Sequence, residues 1–177
     1  MKNFALILVA AAALVGSSCS GTGAVSDATP QYVDSLRVKG ENFHVQGIAY
    51  DKAEKCFYCS FTSSFYKVDL GGNIVASIDS IHGHLGAMSY DAKAGKVYAS
   101  LEYKDDEIGR GIAEKLGDEV YTKDQTHFYL AEIDVKAMKM DLHELDEVRK
   151  DYLAGNYGCS GIDGVTVAPR FRKGKPS

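Results

Sequence analysis

The chain has 177 residues, with 20 Lys and Arg against 24 Asp and Glu, for a net charge of −4. That acidic balance argues against nucleic acid as a partner, because a phosphate backbone is held by clustered Lys and Arg. Hydrophobic residues make up 45% of the chain, and with no Trp present its 11 Tyr supply most of the aromatic volume, so a globular core is within reach.

Met1-Lys2-Asn3 is a short basic start, and Phe4 to Val15 is apolar throughout. The run is too short for a membrane-spanning helix and suits a secretory signal. Gly16-Ser17-Ser18-Cys19 then resembles the bacterial lipoprotein cleavage signal, although Gly16 stands where that signal usually has Leu. The expectation is a signal peptide over 1–18, a lipidated Cys19 and a flexible tether over 19–30. An ordinary secretory signal cut nearby is the alternative. Acyl chains on Cys19 would be the sole membrane attachment, holding the protein on a bacterial membrane and facing the periplasm or the exterior. Cleavage removes one charged residue, Lys2, leaving 19 basic and 24 acidic residues.

Tyr32 to Val38 alternates like a strand. Next comes a repeat. His44-Val-Gln-Gly-Ile-Ala-Tyr50-Asp51 followed by Cys56-Phe-Tyr58-Cys-Ser60-Phe61 aligns without a gap on His84-Leu-Gly-Ala-Met-Ser-Tyr90-Asp91 followed by Lys96-Val-Tyr98-Ala-Ser100-Leu101. Over positions 44–61 and 84–101, the His, both Tyr, the Asp and the Ser are identical. A period of about 40 residues marks a propeller or solenoid array. In the first unit the predicted strands are Gln46–Tyr50, Cys56–Phe61, Ser64–Leu70 and Ile74–Ile78. Gly71-Gly72-Asn73 makes a hairpin turn, because Gly and Asn tolerate positive φ. The second unit has Leu85–Tyr90, Lys96–Leu101, His127–Val135 and Met138–Leu145. A third begins at Gly161-Ile-Asp-Gly164-Val-Thr-Val167, in register with His44–Tyr50. Asp69 and Asp134 repeat at the ends of the third strands and read as turn residues. Cys56 and Cys59 have metal or redox spacing, but residues three apart on a strand point to opposite faces. They read as buried strand cysteines, with a disulfide to Cys159 left open.

Two insertions interrupt the repeat. Glu102 to Thr126 contains a short helix with Asp106 as its cap, Ile108, Ile112 and Leu116 on one face, and Gly117 at its end. Asp146 to Gly158 suggests a second short helical stretch through Leu145, Val148 and Tyr152.

Four-stranded units that open with Gly-x-x-Tyr-Asp and carry Val-Tyr-x-Ser resemble blades of extracytoplasmic β-propellers of the broad YVTN, NHL and SMP-30-like type, many of them secreted lipoproteins. The likeness covers about 44–101, 127–145 and 161–169. It implies an all-β fold of four-stranded antiparallel blades over 31–169, at about 44–80, 84–145 and 161–169, with a basic tail at 170–177. Two complete blades and the start of a third are fewer than a closed propeller has. The sequence therefore reads as an incomplete propeller whose exposed strand edges favour self-association. A small open β-sheet domain is the alternative.

In that frame, His44 and His84 occupy equivalent positions at the mouths of neighbouring inner strands, and His82 stands two residues before His84. Imidazole is the commonest metal ligand, so these three form the candidate site for a divalent metal; no cofactor is otherwise implied. Their alternative role is capping turns. Gln46 and Asp163 share the next aligned position and add oxygen ligands or substrate hydrogen bonds. On the first insertion Glu102, Asp105, Asp106 and Glu107, with Arg110, cluster carboxylates over the same end. A solvated helix start is their plainer reading. No nucleophile elbow, phosphate loop or zinc-protease motif is present in the sequence. The functional expectation is a membrane-anchored binding or scaffold propeller for a carbohydrate, peptide or protein ligand. The resemblance also allows a metal-dependent hydrolase or lyase acting on a lactone or a uronic sugar.

Overall fold

Two four-stranded antiparallel sheets carry the fold. The structure is a computed structural model, and it describes residues 35–39, 43–156, 161–162 and 164–168. Blade one is β1 (Val45–Asp51), β2 (Cys56–Phe61), β3 (Ser64–Asp69) and β4 (Ile74–Ile78). Blade two is β5 (His84–Asp91), β6 (Lys96–Tyr103), β7 (His127–Asp134) and β8 (Lys139–Glu144). Each sheet is an up-and-down meander in chain order, the form of a propeller blade. Every strand predicted for the first two units is present within a residue or two. Helix α1 (Glu107–Leu116) lies in the first insertion and α2 (Asp146–Ala154) in the second.

The turns explain why the meander is so regular. Asp51 accepts from the backbone N–H groups of Ala53 and Glu54, Asp69 from those of Gly71 and Asn73, Asp91 from those of Lys93 and Ala94, and Asp134 from those of Lys136 and Ala137. One aspartate therefore holds each of these four hairpins, by the local side-chain bonding that favours Asp in turns. Gly72 adopts a φ of +83°, and a Cβ there would stand 2.4 Å from the Arg37 carbonyl.

Alternation on the strands sorts the core. One face of blade one, with Cys56, Tyr58 and Phe65, packs against Leu85, Val97, Ala99, Leu101, Ala131 and Ile133 of blade two. The other carries Cys59, Phe61, Tyr66 and Val68, and Leu36 and Val38 cover it. The two cysteines thus lie on opposite faces as buried free thiols. Cys159 is outside the described residues. Residues 35–39 form no strand, yet they pack along the face of blade one that blade two leaves open.

Between the blades, β5 lies along β1 and β2. Leu85 N donates to Thr62 O at 2.9 Å, Ser60 Oγ to Gly86 O at 2.7 Å, and Tyr90 Oη to Asp51 Oδ2 at 2.7 Å. The third unit reaches blade two at the equivalent position, but through a side chain instead of a carbonyl. Ile162, which aligns with Leu85, donates its N–H to Glu102 Oε1 at 2.6 Å, and Glu102 aligns with Thr62. Val167 N reaches Ser89 Oγ at 3.3 Å. The expected third inner strand has no strand pairing among its described residues, but its Ile162 meets blade two at the position equivalent to the one where Leu85 meets blade one.

Candidate functional site

The hairpins of β1–β2 and β5–β6 lie at one end of the sheets, and His44, His82, His84 and the first insertion lie at the other. The insertion is shorter than expected, because β6 continues to Tyr103 and pairs with β7 as far as Tyr103↔His127. Asp106 caps α1 by accepting from Gly109 N at 2.8 Å, and Gly117 closes it at a φ of +74°. Ile112 and Ala113 are buried, but Ile108, expected on the same face, is 46% exposed. Gly109 takes the inward place, since a Cβ there would lie 2.0 Å from the Lys104 carbonyl. Close backbone approach, which a hydrophobicity pattern does not encode, rotates the helix relative to the expected face.

Two groups of side chains assemble at this end. The first is polar and faces the third unit. His84 opens β5 directly opposite Glu102. The Glu102 carboxylate accepts from Ile162 N and lies 3.7 Å from Lys104 Nζ, which is 3.3 Å from Asp106 Oδ2. Lys104 also lies 5.8 Å from the centre of the Tyr152 ring on α2. Burial lowers the His84 pKa and Lys104 adds to that effect, against the opposing pull of Glu102 and Asp106, so its imidazole is neutral at physiological pH. Its Nε2 is buried without a hydrogen-bond partner. Lys104 goes the other way. Burial pulls it down, but Glu102 and Asp106 outweigh that and raise it, so it remains an ammonium.

The second group is aromatic. Tyr103 meets Tyr121 edge-on, with ring centres 5.5 Å apart, and Tyr129 at 5.6 Å; His127 stacks on Tyr129 at 6.0 Å. Around them His82 Nδ1 is 2.5 Å from Asp118 Oδ2, and His127 Nδ1 is 2.7 Å from Glu144 Oε1. Tyr121 Oη donates to His82 O at 3.4 Å, tying the insertion to the β4–β5 connection. Arg149 of α2 donates to the carbonyls of Thr126 and Asp124, both at 2.7 Å.

The sequence-named residues fall in different places. His44 is exposed just ahead of β1. Gln46 donates to Thr62 Oγ1 at 3.3 Å. His82 is held by Asp118. Asp105 and Arg110 form an exposed pair at 3.6 Å, and Glu107 is exposed in the first turn of α1. Asp106 combines its capping role with the Lys104 contact. Asp163 and Cys19 lie outside the described residues. Among the described residues, no three His, Cys, Asp or Glu side chains gather as a metal site would require. Sequence reasoning missed Tyr103, Lys104, Tyr121, His127 and Tyr129. The available signal was position: these aromatics flank or lie inside the insertion, where the repeat has no equivalent.

At the opposite end, the blades part into a cleft lined by Asp51, Tyr58, Lys67, Val75, Tyr90 and Met138, among others. Its polar floor is already satisfied, because Asp51 accepts from Tyr58 Oη at 3.1 Å as well as from Tyr90. Burial alone would raise Asp51, but these tyrosines and the turn N–H groups together hold it below the usual carboxylate range. Burial and the Asp51 bond push Tyr90 up to about 12. This end fastens the blades together.

The fold is of the propeller type, on the strength of its blade order and its repeated register. No family model matches the chain, and no curated protein does. Among solved structures it is similar to the crystal structure of RRP9 WD40 repeats, at 8% identity and a TM-score of 0.33; the match covers 61% of this chain and 40% of that one.

Proposed function

We propose that the chain is a binding or scaffold protein built on propeller blades, held at an extracytoplasmic membrane surface by a lipid on Cys19. The observation that carries the binding role is the assembly at the insertion end. The β4–β5 connection, β6, the insertion, β7 and β8 each send an aromatic or ionisable side chain to one patch. A patch of this kind, on a rigid scaffold and beside a loop outside the repeat, suits a ligand surface. Amide NMR of the full chain against separate pools of neutral oligosaccharides and peptides tests it. Shifts centred on 82–84 and 102–129 are expected; shifts confined to the Asp51 end, or none, would remove the reading. The anchor is tested by labelling with a palmitate analogue in a bacterial host, where Cys19→Ala should abolish incorporation.

The extracytoplasmic type named in the sequence supports a second reading, a metal-dependent hydrolase or lyase. His84 favours it through its neutral, unpartnered Nε2. The described residues do not supply the further ligands, so no step is assigned to a metal. Zinc or manganese titration should show binding that is lost in His84→Ala and in His44→Ala if this reading holds. Self-association is supported by Val45, Ile48 and Tyr50, exposed along β1, and sedimentation across a concentration series checks it.

A further inference from the structure

We infer that the patch of Tyr103, Tyr121, Tyr129 and His127 is a subsite for a neutral carbohydrate, which deepens and rests on the binding reading above. The inference starts from how the rings are held. All four are half-buried, so they are neither core residues nor fully solvated. The core beneath is already closed by Leu101 and Ala131. Gly83 leaves room for Tyr103, since a Cβ there would come within 3.1 Å of its ring and 2.9 Å of the Glu102 carbonyl. The rings are therefore seated by the backbone and presented at the surface. A pyranose has apolar C–H faces and a rim of hydroxyls, and tyrosine offers the matching combination of an apolar ring with a polar tip.

The hydroxyl groups agree with this. Burial raises Tyr103, and the nearby Tyr121 and Tyr129 raise it further, to about 12. Burial and then Asp118 raise Tyr121, and burial and then Glu144 raise Tyr129. Each phenol is thus neutral at physiological pH; Tyr121 directs its proton to His82 O and can accept, while the Tyr103 and Tyr129 hydroxyls can both donate and accept, as a sugar hydroxyl does.

The charges at the rim narrow the ligand class. Asp118 faces His82, Glu144 faces His127, and the Arg149 guanidinium is turned onto two backbone carbonyls. Lys123 is exposed two residues after Tyr121, but Asp124 beside it is exposed as well, so with Asp118 and Glu144 the rim holds no excess of positive charge to take a phosphate, sulfate or uronate, and those two carboxylates each have an imidazole beside them. A neutral polyhydroxyl ligand needs neither, and it can exchange hydrogen bonds with these polar groups directly or through water.

The test uses the full chain and hexasaccharides of α- and β-linked glucose, mannose, xylose and N-acetylglucosamine, with hexagalacturonate as the charged counterpart. Tyrosine emission gives the signal, since the chain has no Trp, and calorimetry confirms it. At least one neutral hexasaccharide should bind. Tyr121→Ala and Tyr129→Ala should each weaken it tenfold or more, Tyr129→Ala with a lowered melting temperature because Tyr129 also packs on the core, and Tyr121→Phe, which keeps the ring, should fall between. If the alanine variants do not fold, Tyr121→Phe alone should still weaken binding measurably. Binding untouched by these changes, preference for hexagalacturonate, or no neutral ligand bound would overturn the inference. If the peptide pool binds at this patch and the sugars do not, the carbohydrate class fails while the binding role stands. If neither binds, both fail.

Discussion

Tyr50 and Tyr90 are the same residue at the same position of two blades, and they have different environments. Tyr90 turns toward blade one and bonds the buried Asp51; Tyr50, on the corresponding face of blade one, is 48% exposed. Asp51 and Asp91 differ in the same way. Both hold their turns, but only Asp51 also gathers two tyrosine hydroxyls. At the other end Thr62-Ser63 joins β2 to β3 directly, whereas 104–126 separates β6 from β7. The repeat supplies identical parts; the neighbouring element decides whether a part fastens the blades, stands in solvent or builds a binding surface.

The sharpest way to break that comparison is at the aspartates. Asp51→Ala strands the buried Tyr58 hydroxyl, the half-buried Tyr90 hydroxyl and two turn N–H groups, and should cost about 3 kcal/mol, given roughly 1–3 for a buried group left unpaired. Asp91→Ala should cost about 1 kcal/mol, the worth of a local cap. Urea unfolding of both variants measures the difference, and equal losses would show that the inter-blade contact adds nothing.

Acid should expose the same asymmetry. The Asp51 pKa is lower folded than unfolded, so its stabilisation is complete above an unfolded value of about 3.9 and is lost as pH falls through the lower folded value. The gap in stability between the parent and Asp51→Asn should therefore shrink below about pH 4. A gap that holds constant to pH 2 would contradict this sign.

Tyr90→Phe removes one bond to a charged acceptor and should cost about 1.5 kcal/mol, while Tyr50→Phe should be neutral within about 0.5. Thermal melts of the pair sharpen the comparison at single-atom level.

The smallest effect lies within α1. A Cβ at Gly111 meets nothing within 4 Å, so Gly111→Ala should stabilise by about 0.5–1 kcal/mol through reduced unfolded-state freedom. Gly109→Ala drives a Cβ into the Lys104 carbonyl and should destabilise instead. Hydrogen exchange across 104–126 separates local loosening of the insertion from global loss.

The sequence by itself determined the blades. Period-two alternation, the 40-residue register and an Asp at four of the turns are local and repetitive, and together they specify β1 to β8 almost residue by residue. The capped start and glycine end of α1 were legible for the same reason. The candidate site was legible only in part: the register paired His84 with His44, but Glu102, Lys104 and Asp106 gather beside His84 while His44 is exposed, and His82 is taken by Asp118, a residue 36 positions away. Tyr103 and Tyr129 meet diagonally across the β6–β7 pairing, and Tyr121 joins them because the insertion folds back over the end of blade two. That contact depends on long-range packing and on backbone approaches at Gly83 and Gly109, which no periodicity records. Tertiary structure alone also decided that Tyr90 bonds a buried carboxylate while Tyr50 faces solvent, because a side chain's partner is set by the surface packed against it.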